Sequence, residues 1–154
     1  MKILAPTLLL ALLAGCATGP RIDKTYNAKG QSSRVKFLVI HYTVSDLPSS
    51  IKILTQQTVS SHYLLTDEKK PVIYGLVDET RQSNHAGVSS WKNYTLLNTS
   101  SIGIEIVNKG FTLDSTGKRI WYPFPREQIA ELIPLVKKII KDHNIPPENV
   151  LGHA

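Results

Sequence analysis

The 154-residue chain contains a single cysteine, Cys16, so no disulfide within the chain can stabilise its fold. Charged residues make up 19% of the sequence and apolar residues 42%, a composition that excludes a disordered chain and indicates a globular one. No internal repeat and no low-complexity segment is present. The length suits one domain of ordinary size.

The one long apolar run lies at the N-terminus, where residues 3–14 follow the basic Lys2. This run is too short for a helix that stays in a membrane, and with the small residues after it the pattern is that of a secretory signal peptide. Residues 13–16, Leu-Ala-Gly-Cys, resemble a bacterial lipobox, which implies that residues 1–15 are removed and that Cys16 is acylated. The alternative is a signal peptide that happens to contain a cysteine. The resemblance, with Ala17 after the cysteine, implies an outer-membrane lipoprotein that faces the periplasm.

A tether is predicted for residues 16–34, because residues 18–34 are polar, contain Gly, Pro and Ser, and show no periodicity. A flexible segment of about 17 residues spans roughly 20–25 Å. Removal of residues 1–15, which contain one lysine and no acidic residue, would change the formal net charge from +6 to +5, and this modest positive charge suits an anionic envelope surface. A nucleic-acid partner is not expected, because the signal peptide implies export of the protein and the sequence lacks a patch of basic and aromatic residues.

The remaining residues, 35–154, predict one α/β domain with a mixed central sheet flanked by helices. Apolar β-forming runs predict strands, and apolar residues with a 3.6-residue period predict helices. The expected strands are 35–43, 60–66, 71–77, 101–108 and 150–153, and the expected helices are 47–55, capped by Asp46, and 126–143. The second and third strands are expected to pair as a hairpin. Pro134 is expected to kink the long helix or divide it in two.

Histidine and glutamate side chains that could bind a metal or transfer a proton lie at or near the ends of these strands. His41 ends the buried first strand, and ligands of open α/β sheets gather beyond such carboxyl ends. Glu105 lies among isoleucines and is either on a solvent-facing side of the sheet or desolvated, in which case its pKa would suit a general base. His153 follows another apolar run, and His85 lies in the long loop 78–99. These separated residues lack a zinc-binding spacing motif, so alone they indicate only a possible hydrolytic metal site.

Five segments in order are VIHYT (39–43), SHYLL (61–65), HAGVSSW (85–91), SSIGIEIVN (100–108) and VLGH (150–153). Together they resemble the type 2 zinc-dependent N-acetylmuramoyl-L-alanine amidases, whose fold is shared with phage amidases and peptidoglycan-recognition proteins. The resemblance covers residues 35–154. It implies a zinc-dependent hydrolase that cuts the bond between the lactyl group of muramic acid and L-alanine in peptidoglycan or muropeptides, in cell-wall turnover. The partners implied are peptidoglycan or its fragments and, through Cys16, the membrane, and we expect a monomer.

Matched residue by residue, the resemblance implies that His41 and His153 bind Zn²⁺ and that Glu105 is the catalytic acid–base. It assigns His85, Tyr42 and Asn108 to substrate binding. His62 matches a structural position, and His143 is expected at the surface, at the end of a lysine-rich helix.

Two features depart from the family pattern. Asn84 replaces an aromatic residue that commonly precedes His-Ala-Gly, and the family's lysine and third zinc ligand, an aspartate, are expected beyond Ala154. The sequence is therefore expected to be a truncated form or fragment that binds zinc poorly and is inactive. The alternative function is a non-catalytic peptidoglycan-binding module with the same fold.

Overall fold

The computed structural model describes residues 19–20 and 22–152, so the predictions for Cys16, the signal peptide and His153 lie outside the described residues. The chain divides into a unit of residues 1–31 and a unit of residues 32–154. The described residues of the first unit form no helix or strand, and the tether at residues 16–34 stays a prediction. Within residues 19–20 and 22–152, no helix is both long enough and apolar enough to cross a membrane.

The second unit is built on a five-stranded mixed sheet, as predicted. Its described strands are β1 (Phe37–Tyr42), β2 (Tyr63–Leu65), β3 (Ile73–Gly75), β4 (Ser90–Trp91), β5 (Tyr94–Thr95), β6 (Ser101–Ile106), β7 (Phe111–Leu113), β8 (Arg119–Trp121) and β9 (Val150–Gly152). The main sheet has the order β3-β2-β6-β1-β9. Strands β2, β6, β1 and β9 are parallel, and β3 pairs with β2 as the predicted antiparallel hairpin.

The two central strands, β1 and β6, are buried on both faces, which explains their almost continuous apolar sequence. Leu38, Ile102 and Ile104 pack on one face against the long helix. The other face carries Phe37 and Val39, which pack against Ala86 and Leu97 of the loop before β6. The polar residues of β1 and β6 lie on this second face, which is covered mainly by a loop.

Two helices cover the sheet. Helix α1 (Leu47–Gln56) begins after Asp46, whose side chain accepts a hydrogen bond from the backbone N–H of Ser49 at 2.9 Å, so the predicted cap is confirmed. Helix α2 (Arg126–His143) runs without interruption through Pro134, so the predicted division into two helices is wrong. Pro134 lies on the exposed side, and the packing of Leu135 and Ile139 against the sheet holds the helix together across it.

Three further details differ from the sequence predictions. The loop 78–99 contains the small hairpin β4–β5 and a 3-10 turn (Leu97–Thr99), and the irregular stretch 110–125 contains the hairpin β7–β8. The strands are also shorter than predicted. His143 is not a surface residue: it is half-buried, with Nε2 2.6 Å from Glu79 Oε2 and Nδ1 2.8 Å from Ser33 Oγ.

Gln128 connects helix α2 to the carboxyl ends of the parallel strands. Its side chain is fully buried, and its Nε2 donates to the carbonyl oxygens of Val107 at 2.9 Å and Thr66 at 3.1 Å. These carbonyls lie just beyond β6 and β2, where the sheet ladder no longer supplies them with donors. The amide of Gln128 therefore satisfies buried backbone acceptors that an apolar residue would leave unpaired.

We expect Gln128→Met to lower the free energy of unfolding by roughly 2–3 kcal/mol, because two buried carbonyls lose their donor while the side-chain volume is kept. Urea-induced unfolding measures the change. Glu131→Met, at an exposed position of the same helix, is the matched control and should change stability by less than about 0.5 kcal/mol. Equal stabilities of the two variants would contradict this role for Gln128.

Candidate active site

The pairing of β1 with β6 places the two central candidate residues side by side. His41 is the direct register partner of Glu105 in this parallel pair. Partners in parallel strands project from the same face of a sheet, so both side chains lie on the face covered by α1 and the loop. Both are buried, with 6% of His41 and 9% of Glu105 exposed.

The carboxylate of Glu105 is desolvated. Its Oε2 atom is buried and has no hydrogen-bond partner among the described residues. Burial raises the pKa of Glu105 to about 7, because the charged form loses its hydration. Of the two interpretations that the sequence left open, the solvent-facing one is wrong and the desolvated one is confirmed.

The loop residue His85 joins this pair. Its Nδ1 lies 3.0 Å from His41 Nε2, and the two buried rings meet edge to face with their centroids 5.2 Å apart. Asn98 holds the loop in place, because its Oδ1 accepts hydrogen bonds from the backbone N–H groups of His85 at 3.1 Å and Ala86 at 2.7 Å. The structure therefore brings together three of the predicted site residues, His41, His85 and Glu105.

His62 is a structural residue, in agreement with the prediction. It is fully buried, and its Nδ1 accepts a hydrogen bond from the backbone N–H of Gly103 at 3.0 Å. Its Nε2 lies 3.1 Å from the carbonyl oxygen of Arg81. Burial lowers the pKa of His62, which favours the neutral ring. Its ring thus fastens the loop after β3 to strand β6.

Tyr42 and Asn108 lie at the same edge of the sheet but have structural contacts of their own. The Tyr42 ring packs edge to face on Trp121 and Phe124, at centroid distances of 6.5 and 6.4 Å. The Asn108 amide donates to the carbonyls of Tyr122 at 3.2 Å and Pro123 at 3.4 Å. Its Oδ1 accepts from the backbone N–H of Gly110 at 2.7 Å. A role for either residue in substrate binding stays a prediction.

Two cavities open next to the buried residues. One of about 140 Å³ is lined by Glu105 together with Tyr42, Thr43, Ser50, Ile53, Leu54 and Val59. A larger, more open one of about 580 Å³ is lined by His85 together with Thr58, Val59, Asn84, Ala86, Gly87, Val88 and Asn98. Asn84, the residue that departs from the family pattern, thus belongs to a wall beside His85.

Whether these residues suit a zinc ion can be judged from their chemistry. Zinc prefers imidazole nitrogen and carboxylate oxygen, and its histidine ligands usually hold a second hydrogen bond through the other ring nitrogen. His41 is a buried imidazole with such a hydrogen bond, which it makes to His85. Residues 19–20 and 22–152 contain no group of three His, Cys, Asp or Glu side chains that could hold a metal ion. His41 therefore fits zinc as one ligand of a site, and His153 lies outside the described residues.

Ser101, Gly103 and Asn98 were missed as parts of the site. Ser101 is fully buried and contacts His85, and a Cβ atom on residue 103 would collide with the His85 ring. The sequence does carry a signal for two of them. Along β6 the isoleucines alternate with Ser101, Gly103 and Glu105, so small and polar residues mark one face of an otherwise apolar strand.

A sheet with parallel central strands that buries a histidine and a glutamate at its carboxyl edge defines an α/β protein with a candidate acid–base site. The match is more specific than that: residues 31–154 match the family of N-acetylmuramoyl-L-alanine amidases, Amidase_2. The chain belongs to this family, and the predicted resemblance is confirmed.

Two relatives show how much of the chain is shared. The amidase AmiD of Escherichia coli K12 is 44% identical over 93% of the chain, which covers 56% of that protein. The structure of AmiD in complex with the substrate anhydro-N-acetylmuramic acid-L-Ala-D-γ-Glu-L-Lys matches with a TM-score of 0.77, at 45% identity, over 88% of this chain and 55% of that one. AmpDh3 of Pseudomonas aeruginosa, in complex with anhydromuramic pentapeptide, matches with a TM-score of 0.76 at 37% identity, over 86% of this chain and 56% of that one. The chain therefore spans little more than half the length of these relatives.

The fold extends to more distant proteins. A mutant endolysin from Bacillus subtilis matches with a TM-score of 0.54 at 25% identity, over 78% of this chain and 71% of that one. The predicted likeness to the phage-amidase fold is therefore confirmed.

The raised pKa of Glu105 predicts a pH-dependent loss of stability. In the unfolded chain Glu105 ionises near pH 4.5, whereas in the folded protein it holds its proton up to about pH 7. The unfolded state binds fewer protons between these values, so stability falls as the pH rises through this window. From about pH 4 to about pH 8, the metal-free protein should lose up to roughly 3 kcal/mol relative to Glu105→Gln.

Urea unfolding at a series of pH values, with a chelator present, measures this difference. Glu127→Gln, which changes an exposed carboxylate on α2, is the control and should follow the parent protein at every pH. Parallel pH profiles for the parent protein and Glu105→Gln would show that Glu105 is solvated.

Proposed function

We propose that this protein hydrolyses the amide bond between the lactyl group of muramic acid and L-alanine, in peptidoglycan or its muropeptide fragments, and so serves cell-wall turnover. The observation that carries the proposal is the desolvated carboxylate of Glu105, set beside His41 in a chain of the amidase family. The bound substrate in the related AmiD structure is a muropeptide of this chemical class, which supports the choice of bond.

In this proposal zinc would be held by His41, by His153 and by an aspartate that would lie beyond Ala154. Strand β9 pairs with β1 up to Gly152, which is opposite Ile40, and His153 is the next residue in the sequence just as His41 follows Ile40. When bound, zinc would lower the pKa of a water molecule to about 7 and polarise the substrate carbonyl.

Glu105 is proposed to move the proton. With a pKa of about 7, its carboxylate can take a proton from the attacking water at neutral pH and return it to the departing nitrogen of alanine. A C–O bond forms at the lactyl carbonyl and the C–N bond breaks, so the peptide leaves with a free amine. A carboxylate with an ordinary pKa would be a weaker base, and its acid form would be scarce at neutral pH.

The rival function is a peptidoglycan-binding module without turnover. A binding module gains nothing from a buried carboxylate that destabilises the fold at neutral pH, whereas a general base requires one. The burial of Glu105 therefore favours the enzyme.

The two cavities are proposed as the substrate cleft. The one beside Glu105 is small and the one beside His85 is larger, so we assign the reacting amide to the first and the bulkier sugar or peptide to the second. Tyr42 would contact substrate from the wall of the small cavity. Asn108 would act by holding the backbone at residues 122–123 beside the cleft, through the hydrogen bonds of its amide.

The protein is further proposed to work, as a monomer, in the bacterial envelope as an outer-membrane lipoprotein. The support is the apolar run of residues 3–14, followed by Leu-Ala-Gly and Cys16. Acylation of Cys16 would anchor the amidase domain, and residues 18–34 would let it reach peptidoglycan.

Glu105→Gln should lower turnover of a muropeptide by roughly 10²–10⁴-fold while leaving zinc content unchanged, because glutamine keeps the side-chain shape and removes the basic oxygen. Release of the L-alanyl peptide is followed by chromatography, and zinc by atomic absorption after dialysis. The test uses a chain that includes the proposed aspartate ligand. Glu127→Gln is the control, and parental turnover by Glu105→Gln would overturn the role of Glu105.

Cys16→Ser should move the protein from the membrane fraction to the soluble fraction, because serine cannot form the thioether to which the lipid is attached. Fractionation of the host envelope, followed by immunoblotting, measures the distribution. Thr18→Ser, two residues away, leaves the cysteine intact and should stay in the membrane fraction. Retention of Cys16→Ser in the membrane would show that Cys16 is not an anchor.

A further inference from the structure

The loop-side face of β6 has no side chain at Gly103, and the ring of His85 fills this space. A Cβ atom on residue 103 would lie 2.4 Å from His85 Cγ and 2.7 Å from both His85 Cδ2 and His85 Nδ1. Carbon atoms in favourable contact are about 3.5–4.0 Å apart. The ring therefore occupies the space that the side chain of any other residue at position 103 would need.

The backbone at position 103 does not itself call for glycine. Three other glycines, Gly87, Gly110 and Gly117, have a positive φ, whereas Gly103 does not. Glycine in the interior of a strand weakens the strand, and it often marks a place where another group approaches the backbone closely. At Gly103 that group is the His85 ring.

The neighbours of Gly103 in the sheet confine the ring from the sides. Val39 of β1 is the register partner of Gly103, is buried, and packs against Ala86. On the β2 side, the His62 N–H donates to Gly103 O at 3.1 Å, and His62 Nδ1 accepts from the Gly103 N–H at 3.0 Å. The rings of His62 and His85 meet edge to face with their centroids 5.9 Å apart.

Rotation of the ring would not relieve a collision with residue 103. The nearest ring atom, Cγ, lies on the Cβ–Cγ axis about which the ring turns, so it stays in place when the ring rotates. Strand β6 is held on both sides by its pairing with β1 and β2. His85 would therefore have to move away from the sheet by about 1 Å to reach an ordinary contact distance.

A shift of this size would change the surroundings of His85. Its Nδ1 lies 3.0 Å from His41 Nε2, and its Nε2 lies 3.0 Å from Ser101 Oγ. Adding about 1 Å to either distance exceeds the range of a hydrogen bond. The larger cavity, which His85 lines, would change its shape as well.

We propose that Gly103 is a positioning residue: the absence of a side chain at position 103 sets the place of the His85 ring beside His41 and at the wall of the cleft. The structural part of this inference rests on the packing around Gly103. Its effect on turnover rests on the proposed function.

Gly75 provides a matched control. It also lies in a strand of the main sheet and has no positive φ, but a Cβ atom on it would meet nothing within 4 Å. Gly75→Ala therefore makes the same chemical change in a strand where no ring has to move.

The first experiment is a double-mutant cycle with urea unfolding of the metal-free protein. Gly103→Ala should lower the urea midpoint of the parent protein, whereas Gly75→Ala should not. In a His85→Ala background the ring is gone, so Gly103→Ala should no longer lower the midpoint. If Gly103→Ala alone does not fold, the proposal requires that Gly103→Ala with His85→Ala does. An equal loss of stability in both backgrounds would overturn the proposal.

The second experiment records the ring proton signals of His41 and His85 in the metal-free protein. The two rings lie edge to face at 5.2 Å, so a movement of one changes the magnetic surroundings of the other. We expect both sets of signals to shift in Gly103→Ala and to stay in place in Gly75→Ala. Unshifted His85 signals in Gly103→Ala would overturn the proposal.

The third experiment measures muropeptide turnover in a chain that includes the proposed aspartate ligand. Gly103→Ala should lower kcat/KM by roughly 10²-fold, the cost expected of a displacement of about 1 Å at a reacting site, and Gly75→Ala should match the parent protein. Parental turnover by Gly103→Ala would overturn the link to the cleft. If the parent protein itself gave no turnover, the proposed function would fail, and the unfolding cycle and the ring signals would still decide the role of Gly103.

Discussion

The parallel pairing of β1 with β6 is the constraint on which the rest of the site depends. Both strands are buried on both faces, so their register is fixed by the packing of Leu38, Ile102 and Ile104 against α2. A shift of one residue would turn these apolar side chains away from the helix. The same register that buries them pairs His41 with Glu105, so the geometry of the site follows from the packing of the core.

The two faces of this sheet have different functions. The face towards α2 is apolar, whereas the face towards the loop carries Ser101, Gly103 and Glu105 on β6 and His41 on β1. Burial on this polar face is costly, because Glu105 has no partner for its Oε2 among the described residues. The fold remains stable despite the unpaired carboxylate oxygen of Glu105, because the apolar residues on the opposite face of the sheet pack against α2. The proposed general base, Glu105, is therefore a residue whose burial weakens the fold.

The sequence predicted the features that follow from repeated patterns. Runs of apolar β-forming residues located the strands, and the 3.6-residue period located α2. Whether Pro134 would interrupt helix α2 could not be predicted, because the outcome depends on how strongly Leu135 and Ile139 pack on the sheet. The hairpin β7–β8 was missed although its turn carries Asp114 and Gly117, since short strands give weak patterns. At the site, the ordered motifs indicated His41, His85 and Glu105. The role of Ser101 could not be inferred, because its contact with His85 joins a strand to a separate loop.

The central claim is that Glu105 is a desolvated base beside His41, and a direct measurement of its ionisation tests this best. The carbon resonance of the Glu105 carboxyl group, assigned by comparison with Glu105→Gln, can be followed against pH in the metal-free protein. The account predicts a midpoint at about pH 7. A midpoint near 4.5, the ordinary value for a glutamate, would contradict it.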